Sequence, residues 1–327
     1  MHILILGAAG MLGCKLTERL LRDGRLGRHE ISKITLQDVV SPRPTAAAIP
    51  LDVIAGDFVG ADAAAALVAS RPDVIFHLAA IVSGEAEADF EKGYRINLDG
   101  TRYLFEAIRA VGDGYRPRLV FTSSIAVFGA PFPAAIGDEF LNAPLTSYGT
   151  QKAICELLLV DYTRRGFLDG VGIRLPTICV RPGKPNKAAS GFFSNIIREP
   201  LAGENAVLPV GDDIRHWHAS PRSAIAFLTH AASFDAAQLG ARRNLNMPGL
   251  SVTVGEQIAA LANVAGPSVV ARIRREPDAS IATIVEGWPR NFKAERASKL
   301  GFAAAETSFE DIIRIHIEDE LGGSFVH

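Results

Sequence analysis

The sequence predicts an α/β fold: a doubly wound parallel sheet within residues 1–180, followed by a smaller C-terminal α/β cap over residues 181–327. Three observations lead there. Short, continuously apolar runs alternate with longer segments of helical spacing, the pattern of parallel strands covered by helices on both faces. The first apolar run ends in glycines spaced three apart, at a strand-to-helix turn. After Arg181 the alternation changes to helices interrupted by short strands.

Taken in order, His2–Gly7 (HILILG) has the buried-strand pattern, and Met11–Asp23 has helical spacing. Strands are predicted at Lys33–Asp38, Val53–Asp57, Val74–Ala80 and Arg118–Ser124, with an Ala-rich helix at Ala61–Ser70 and another helix from about Tyr94 to Val111. A helix beginning near Tyr148 leads to a strand over Val171–Val180. Beyond it, helices are predicted at Ser194–Ala202, Pro221–Phe234, Val254–Ala265 and Ser308–Leu321, with a strand at Val269–Arg275. The loop between, RPGKPNKAASGFFSN, carries Arg181, Lys184 and Lys187, and its prolines and glycine break both regular patterns. Phe192 and Phe193 are expected to anchor the helix that follows.

At 327 residues and 48% hydrophobic content the chain can bury a large core, and its length suggests about two domains. With 34 Lys and Arg against 36 Asp and Glu it has no basic excess, which argues against a nucleic-acid partner. No stretch approaches the roughly 20 apolar residues of a membrane span, and the apolar N-terminus has no basic leader. Cys14, Cys155 and Cys179 are odd in number and far apart, without a C-x-x-C pair. They are read as reduced core residues with no metal role, which fits a cytoplasmic setting.

GAAGMLG places Gly7, Gly10 and Gly13 between an apolar strand and an amphipathic helix, the context of a Rossmann-type dinucleotide site. Gly7 permits the tight turn, Gly10 lets a pyrophosphate approach the backbone, and Gly13 lets the helix pack on the strand. The helix start, with Met11 and Leu12, offers unpaired N–H groups to phosphate. Asp38 ends the second strand, where a carboxylate accepts both ribose hydroxyls and repels a 2′-phosphate, so NAD is expected over NADP. Asp57, with Phe58 beside it, is a candidate partner for the adenine amino group.

SYGTQK places Tyr148 and Lys152 four residues apart, on one helical face. A phenol is a poor base at neutral pH, and a nearby ammonium favours its ionised form. Ser124 ends a strand about two dozen positions earlier, so the three side chains form a candidate proton-transfer set.

With these motifs on one chain, the sequence resembles the extended short-chain dehydrogenases/reductases, the NAD-dependent epimerase/dehydratase family. The landmarks are GAAGMLG, HLAA at His77–Ala80, Asn97 in INLDGT, SSIAVFG and SYGTQK. The resemblance implies that Ser124, four residues before Phe128, contacts the reacting hydroxyl; that Leu78, Ala79, Ala80 and Asn97 line the nicotinamide half of the cofactor; and that Pro176 and Thr177 flank its carboxamide. It also implies a homodimer, through helices at about 94–111 and 148–165.

Dehydratases of the family carry an Asp-Glu pair where this chain has Ile125–Ala126, which neither donates nor accepts a proton, so elimination is not expected. In RHWHASPRSA, Pro221 and Arg222 replace the acidic positions typical of nucleotide-sugar enzymes. IRLPTICVRPGKPNKAASGFF and GWPRNF resemble instead the D-erythronate dehydrogenase branch, which implies oxidation of the C2 hydroxyl of a small sugar acid with NAD. Tyr148 would act as general base. Arg181, Arg215 and Arg222 are candidate partners for the acid's carboxylate, and Ser83 and Asn186 for its hydroxyls. The alternatives are a nucleotide-sugar epimerase or reductase of the same family and, from another class, a non-catalytic NAD-sensing protein. The complete Ser124, Tyr148 and Lys152 set argues against the sensor.

Overall fold

The computed structural model describes residues 1–44, 48–183 and 190–326. They form two compact units that interleave along the chain: Met1–Val127, Thr146–Arg174 and Ile225–Leu245 in the first, and Phe128–Leu145, Leu175–Ala224 and Asn246–His327 in the second.

The first unit is built on a seven-stranded sheet. Its strands are β1 (His2–Leu6), β2 (Lys33–Asp38), β3 (Leu51–Ala55), β4 (Val74–His77), β5 (Arg118–Ser124), β6 (Asp169–Leu175) and β7 (Asn244–Asn246). Their spatial order is β7-β6-β5-β4-β1-β2-β3, and β1 pairs in parallel with both β2 and β4. The chain therefore reverses its direction of winding between β1 and β4, where ligands of such sheets sit outside the carboxyl ends. Leu4, Leu6, Ile75, Leu119 and Phe121 from the strands meet Leu104, Phe105, Ile108, Cys155 and Leu159 from the helices in one apolar core.

The strand expected at Val269–Arg275 is extended only at Ile273–Arg275, because Pro267 opens a short helix over Pro267–Val270. Three further elements differ from the sequence reading, each for a physical reason. β3 begins two residues early, at Leu51 instead of Val53, because it is the edge strand and four of its five residues are exposed. Burial therefore does not imprint its bounds on the sequence. The helix expected over 94–111 opens with a π-helical turn at Tyr94–Asp99 and becomes regular only in α2 (Gly100–Val111), while α1 (Met11–Asp23) has its predicted bounds. The strand expected over 171–180 is interrupted at Pro176, which has no N–H to give a ladder, and resumes as Thr177–Ile178 in another sheet. Another expectation fails at Cys14, which is exposed on the first turn of α1, whereas Cys155 and Cys179 are buried; all three are free thiols.

The second unit contains a three-stranded sheet in which Arg215–Ala219 lies between Leu250–Thr253 and Thr177–Ile178. Phe192 and Phe193, on the helix Gly191–Leu201, are buried in its core with Ile196, Leu261, Ile313 and Val269. Capping boxes, Thr253 with Glu256 and Ser308 with Asp311, start its helices Val254–Ala265 and Phe309–Glu320. No helix among the described residues is long and apolar enough to cross a membrane.

Both units bury imidazoles. His77 accepts or donates one bond to the Thr101 hydroxyl at 2.8 Å, and His216 does the same with Thr177 at 2.7 Å. Burial pushes each down to about 3, with Lys152 adding to the effect on His77. Between pH 6.5 and 3 the unfolded chain then binds more protons than the folded one, so stability falls as pH drops through that window. By pH 5.5 each such group removes on the order of 1 kcal/mol. Thermal unfolding should show a midpoint that declines steadily from pH 7 to 5, and a shallower decline in His77→Asn; a flat profile would refute the assignment.

Candidate active site

The turn after β1 is closed by Gly7 and Ala8, whose N–H groups both donate to the Gln37 carbonyl, at 2.9 and 3.0 Å. Gly7 adopts φ +85°, and a Cβ there would meet the Ala79 backbone at 2.7 Å. A Cβ on Gly13 would lie 2.2 Å from the Gly7 carbonyl, so α1 reaches the strand only because that atom is missing. Gly10 is exposed and caps α1 without any side-chain bond, and no acidic residue occupies the first turn. An uncapped helix start over an open glycine is a cradle that fits a dinucleotide pyrophosphate. Met11 and Leu12, half-buried, form its first turn.

Asp38 stands at the end of β2 with its carboxylate fixed by two N–H donors, Ala9 at 2.9 Å and Val40 at 3.2 Å. The strand thus presents an anchored carboxylate beside the glycine turn, as the ribose role requires. Asp57 accepts from Val59 N–H at 2.9 Å and pairs with Arg95 at 2.7 Å. Partial burial opposes its ionisation, yet the bonds from Arg95 and Val59 prevail and lower its pKa. Phe58 is buried, edge-on to His77 with centroids 5.8 Å apart.

Leu78, Ala79 and Ala80 leave β4 half-buried, and Ser83 opens the short helix Ser83–Ala88. Asn97, in the π-helical turn, clasps this loop: its Oδ1 accepts from Ile81 N–H at 2.9 Å and its Nδ2 donates to Gln151 at 2.8 Å. The widened turn also leaves the Asn97 carbonyl to accept from the Thr101 hydroxyl at 2.7 Å and the Cys155 thiol at 3.3 Å.

α3 (Ser147–Arg164) carries Tyr148 and Lys152. Thr146 caps it by accepting from Gly149 N–H at 3.1 Å, and Glu87 accepts from Ser147 N–H at 3.0 Å, so Tyr148 sits in a well-held first turn. Lys152 is 3% exposed. Its Nζ donates to the Thr122 carbonyl of β5 at 2.8 Å and lies 5.8 Å from the centre of the Tyr148 ring. Burial pushes the Lys152 ammonium down to about 8, against the opposing pull of Cys155 and Glu156. Ser124, two residues beyond Thr122, ends β5 half-buried, with its Oγ accepting from Ala126 N–H at 3.1 Å. The ammonium that favours a phenolate is therefore in place beneath the tyrosine, below its own pKa at neutral pH.

The model of the NAD-dependent epimerase/dehydratase family matches residues 3–238 of this sequence. The chain belongs to that family. Among relatives in the NAD-dependent epimerase/dehydratase family, a D-erythronate dehydrogenase of Cupriavidus necator is 46% identical over 98% of both chains. One of Haemophilus influenzae is 39% identical over 98% of this chain and all of its own. A solved structure described as the nucleoside-diphosphate-sugar epimerase from Agrobacterium tumefaciens superposes with a TM-score of 0.96 at 67% identity, covering 99% of this chain and 95% of that one.

The remaining residues singled out from sequence belong to the second unit. Pro176 is buried, and Thr177 bonds His216, whose ring stacks on Phe193 at 5.1 Å. Arg181 donates to the Ile178 carbonyl and the Ser190 hydroxyl, both at 3.1 Å. Arg215 donates to the Ser251 carbonyl at 2.8 Å and pairs with Glu256 at 3.3 Å. Arg222 pairs with Asp319 and Glu318. Asn186, Lys184 and Lys187 lie outside the described residues. Sequence reasoning passed over Ser123, Glu156 and Arg174, which form a buried cluster behind β5. Its one trace in the sequence is Glu156, a further turn along the face that carries Tyr148 and Lys152.

Replacing Gly13 by Ala should destabilise the first unit by about 3 kcal/mol or more, because the clash is with backbone atoms that no rotamer change relieves. Urea unfolding would measure it, and a variant of unchanged stability would contradict the close approach of α1.

Proposed function

We propose that the protein oxidises the C2 hydroxyl of a small sugar acid, D-erythronate first among them, to the 2-oxo acid with NAD, using Tyr148 as general base. The chain is an NAD-dependent oxidoreductase of the epimerase/dehydratase family. The observation that carries the finer reading is Lys152, buried and bonded to β5 beneath the Tyr148 ring, in a chain 46% identical end to end to a D-erythronate dehydrogenase.

In this reading the cradle of Gly7, Gly10, Met11, Leu12 and Gly13 holds the pyrophosphate, Asp38 the ribose, and Asp57 with Phe58 the adenine side. Leu78 to Ala80, Asn97, Pro176 and Thr177 border the nicotinamide half. The chemistry the dinucleotide supplies when bound is acceptance of a hydride from C2. Ser124 orients the hydroxyl oxygen, Tyr148 removes its proton, and Lys152 stabilises the phenolate that does so. The substrate loses a proton and a hydride, and its C2–O bond becomes a carbonyl. Arg181, Arg215 and Arg222 remain the candidates for the carboxylate; Arg215 and Arg222 are already engaged by carboxylates of the chain, which compete with an incoming acid. Ser83 and Asn186 are the candidates for the hydroxyls. A homodimer through α2 and α3 is part of the proposal, supported by Leu157 on α3, a large apolar side chain 70% exposed. So is a cytoplasmic setting, supported by three free thiols.

A second reading, a nucleotide-sugar epimerase, is favoured by the description of the Agrobacterium tumefaciens structure. Pro221 and Arg222 at positions that are acidic in nucleotide-sugar enzymes weigh against it. Mixing the protein with NAD and D-erythronate should generate NADH absorbance, whereas tight binding of a UDP- or dTDP-sugar with no sugar-acid turnover would favour the epimerase. Tyr148→Phe should lower kcat by about 100- to 10,000-fold with NAD binding retained. Retained turnover in that variant would remove Tyr148 from the mechanism.

A further inference from the structure

Behind the Ser124 end of β5 lies a charged group that the proposed chemistry does not use. Glu156 is 1% exposed, one turn beyond Lys152 on α3. It takes both prongs of the Arg174 guanidinium on β6, Nε to Oε1 at 2.8 Å and Nη2 to Oε2 at 2.7 Å. The Ser123 hydroxyl of β5 donates to the same Oε1 at 2.6 Å. One carboxylate thereby joins α3, β5 and β6. Burying an ion pair among three elements is a poor way to gain stability, since removing two charges from water offsets most of their attraction. Its geometry suggests a different use.

We infer that Glu156, held by Arg174 and bonded to Ser123, is a positioning residue that fixes the ammonium of Lys152 and the hydroxyl of Ser124 in a single frame. The inference rests on the proton-transfer roles proposed for Tyr148, Lys152 and Ser124. Lys152 to the Thr122 carbonyl and Glu156 to the Ser123 hydroxyl are two successive rungs between α3 and β5. Other bonds hold α3 to the segments around Glu87 and Asn97, and these two rungs fix its rotation and register on β5 itself. Ser124 follows directly on that strand, so its position is set by the same two bonds. Arg174 secures the carboxylate from the neighbouring strand, leaving Glu156 little choice of rotamer.

The charges agree with this placement. The groups bearing on the Lys152 ammonium are the Thr122 carbonyl, the Phe121 and Tyr148 rings, the Cys155 thiol, Glu156 and the neutral His77. Glu156 favours the ammonium and at the same time neutralises Arg174, which would otherwise oppose it. Glu156→Gln removes the first effect and exposes the second. Both push Lys152 towards its neutral form and leave the Tyr148 phenolate less stabilised.

The test is a tyrosinate absorbance titration of the NAD-saturated protein, each variant read against its own Tyr148→Phe counterpart, together with kcat and the KM for NAD. In Glu156→Gln the Tyr148 midpoint should rise by about half a pH unit or more. kcat should fall by about tenfold or more, with the KM for NAD unchanged within about twofold. A merely structural role would lower thermal stability without moving the midpoint. The double variant Glu156→Leu, Arg174→Met leaves no buried charge unpaired, removes the acceptor of the Ser123 hydroxyl that glutamine would keep, and guards against misfolding of the single one. It should still show a raised midpoint, because the second rung is gone. An unmoved Tyr148 midpoint in either folded variant overturns the inference. Because the titration needs no substrate, it decides the matter even if the wild-type protein turns over no sugar acid, a result that would sink the substrate reading alone.

Discussion

A lysine buried to 3% exposure must find acceptors inside the protein, and the way Lys152 finds them organises the first unit. Its ammonium reaches the Thr122 carbonyl only if α3 lies across the end of β5 at one height and one rotation. The buried face of α3 is accordingly not an apolar stripe; it contains Gln151, Lys152, Glu156 and Thr163 together with Cys155 and Leu159. Hydrogen bonds hold it at nearly every turn: Ser147 to Glu87, Gln151 to Asn97, Lys152 to Thr122 and Glu156 to Ser123. Such directional contacts specify register more sharply than apolar packing, which tolerates sliding.

The same helix is coupled to the glycine turn after β1 through the loop after β4. Asn97 bonds both Ile81 in that loop and Gln151 on α3, and it can do so because the π-helical turn widens the backbone around it. A Cβ on Gly93 would meet the Gln151 amide at 2.6 Å, so the approach of the two segments also depends on a glycine. On the other side, the Gly7 turn abuts Ala79 of that loop. Glycine turn, loop and α3 therefore form one chain of contacts around the carboxyl edge of β1, β4 and β5.

Much of this was legible in the sequence where local chemistry dictates local structure. β1, β2, β5 and α1 carry their patterns because burial on both faces or on one stripe leaves few choices. The glycine spacing and the Tyr148–Lys152 interval are likewise local signals. What was not legible is set by partners distant in sequence. The edge strand β3 gains its bounds from pairing with β2, and the π-helical turn exists for contacts made by Asn97 with residues 16 and 54 positions away. Cys14 reads as a core residue until the helix is seen to turn it outward. Glu156 draws no notice in the sequence, since nothing near it announces Ser123 or Arg174.

The second unit keeps its positive charge on guanidinium groups and not on imidazoles. Strand Arg215–Ala219 carries two histidines beside Arg215, at first sight three cationic groups on one strand. Burial keeps His216 down at about 3 and His218 well below its ordinary value, so neither imidazole is charged at any pH where the enzyme would work. His216 is instead a neutral prop, stacked on Phe193 and bonded to Thr177, whose orientation is therefore independent of pH. Positive charge for a carboxylate must come from guanidinium groups, which remain ionised throughout. Of these, Arg222 is drawn to Asp319 and Glu318, and Arg215 to Glu256. Under the proposed function, strand Arg215–Ala219 offers an anion guanidinium charge alone, and the pair Ile125–Ala126 after Ser124 offers no proton donor for an elimination.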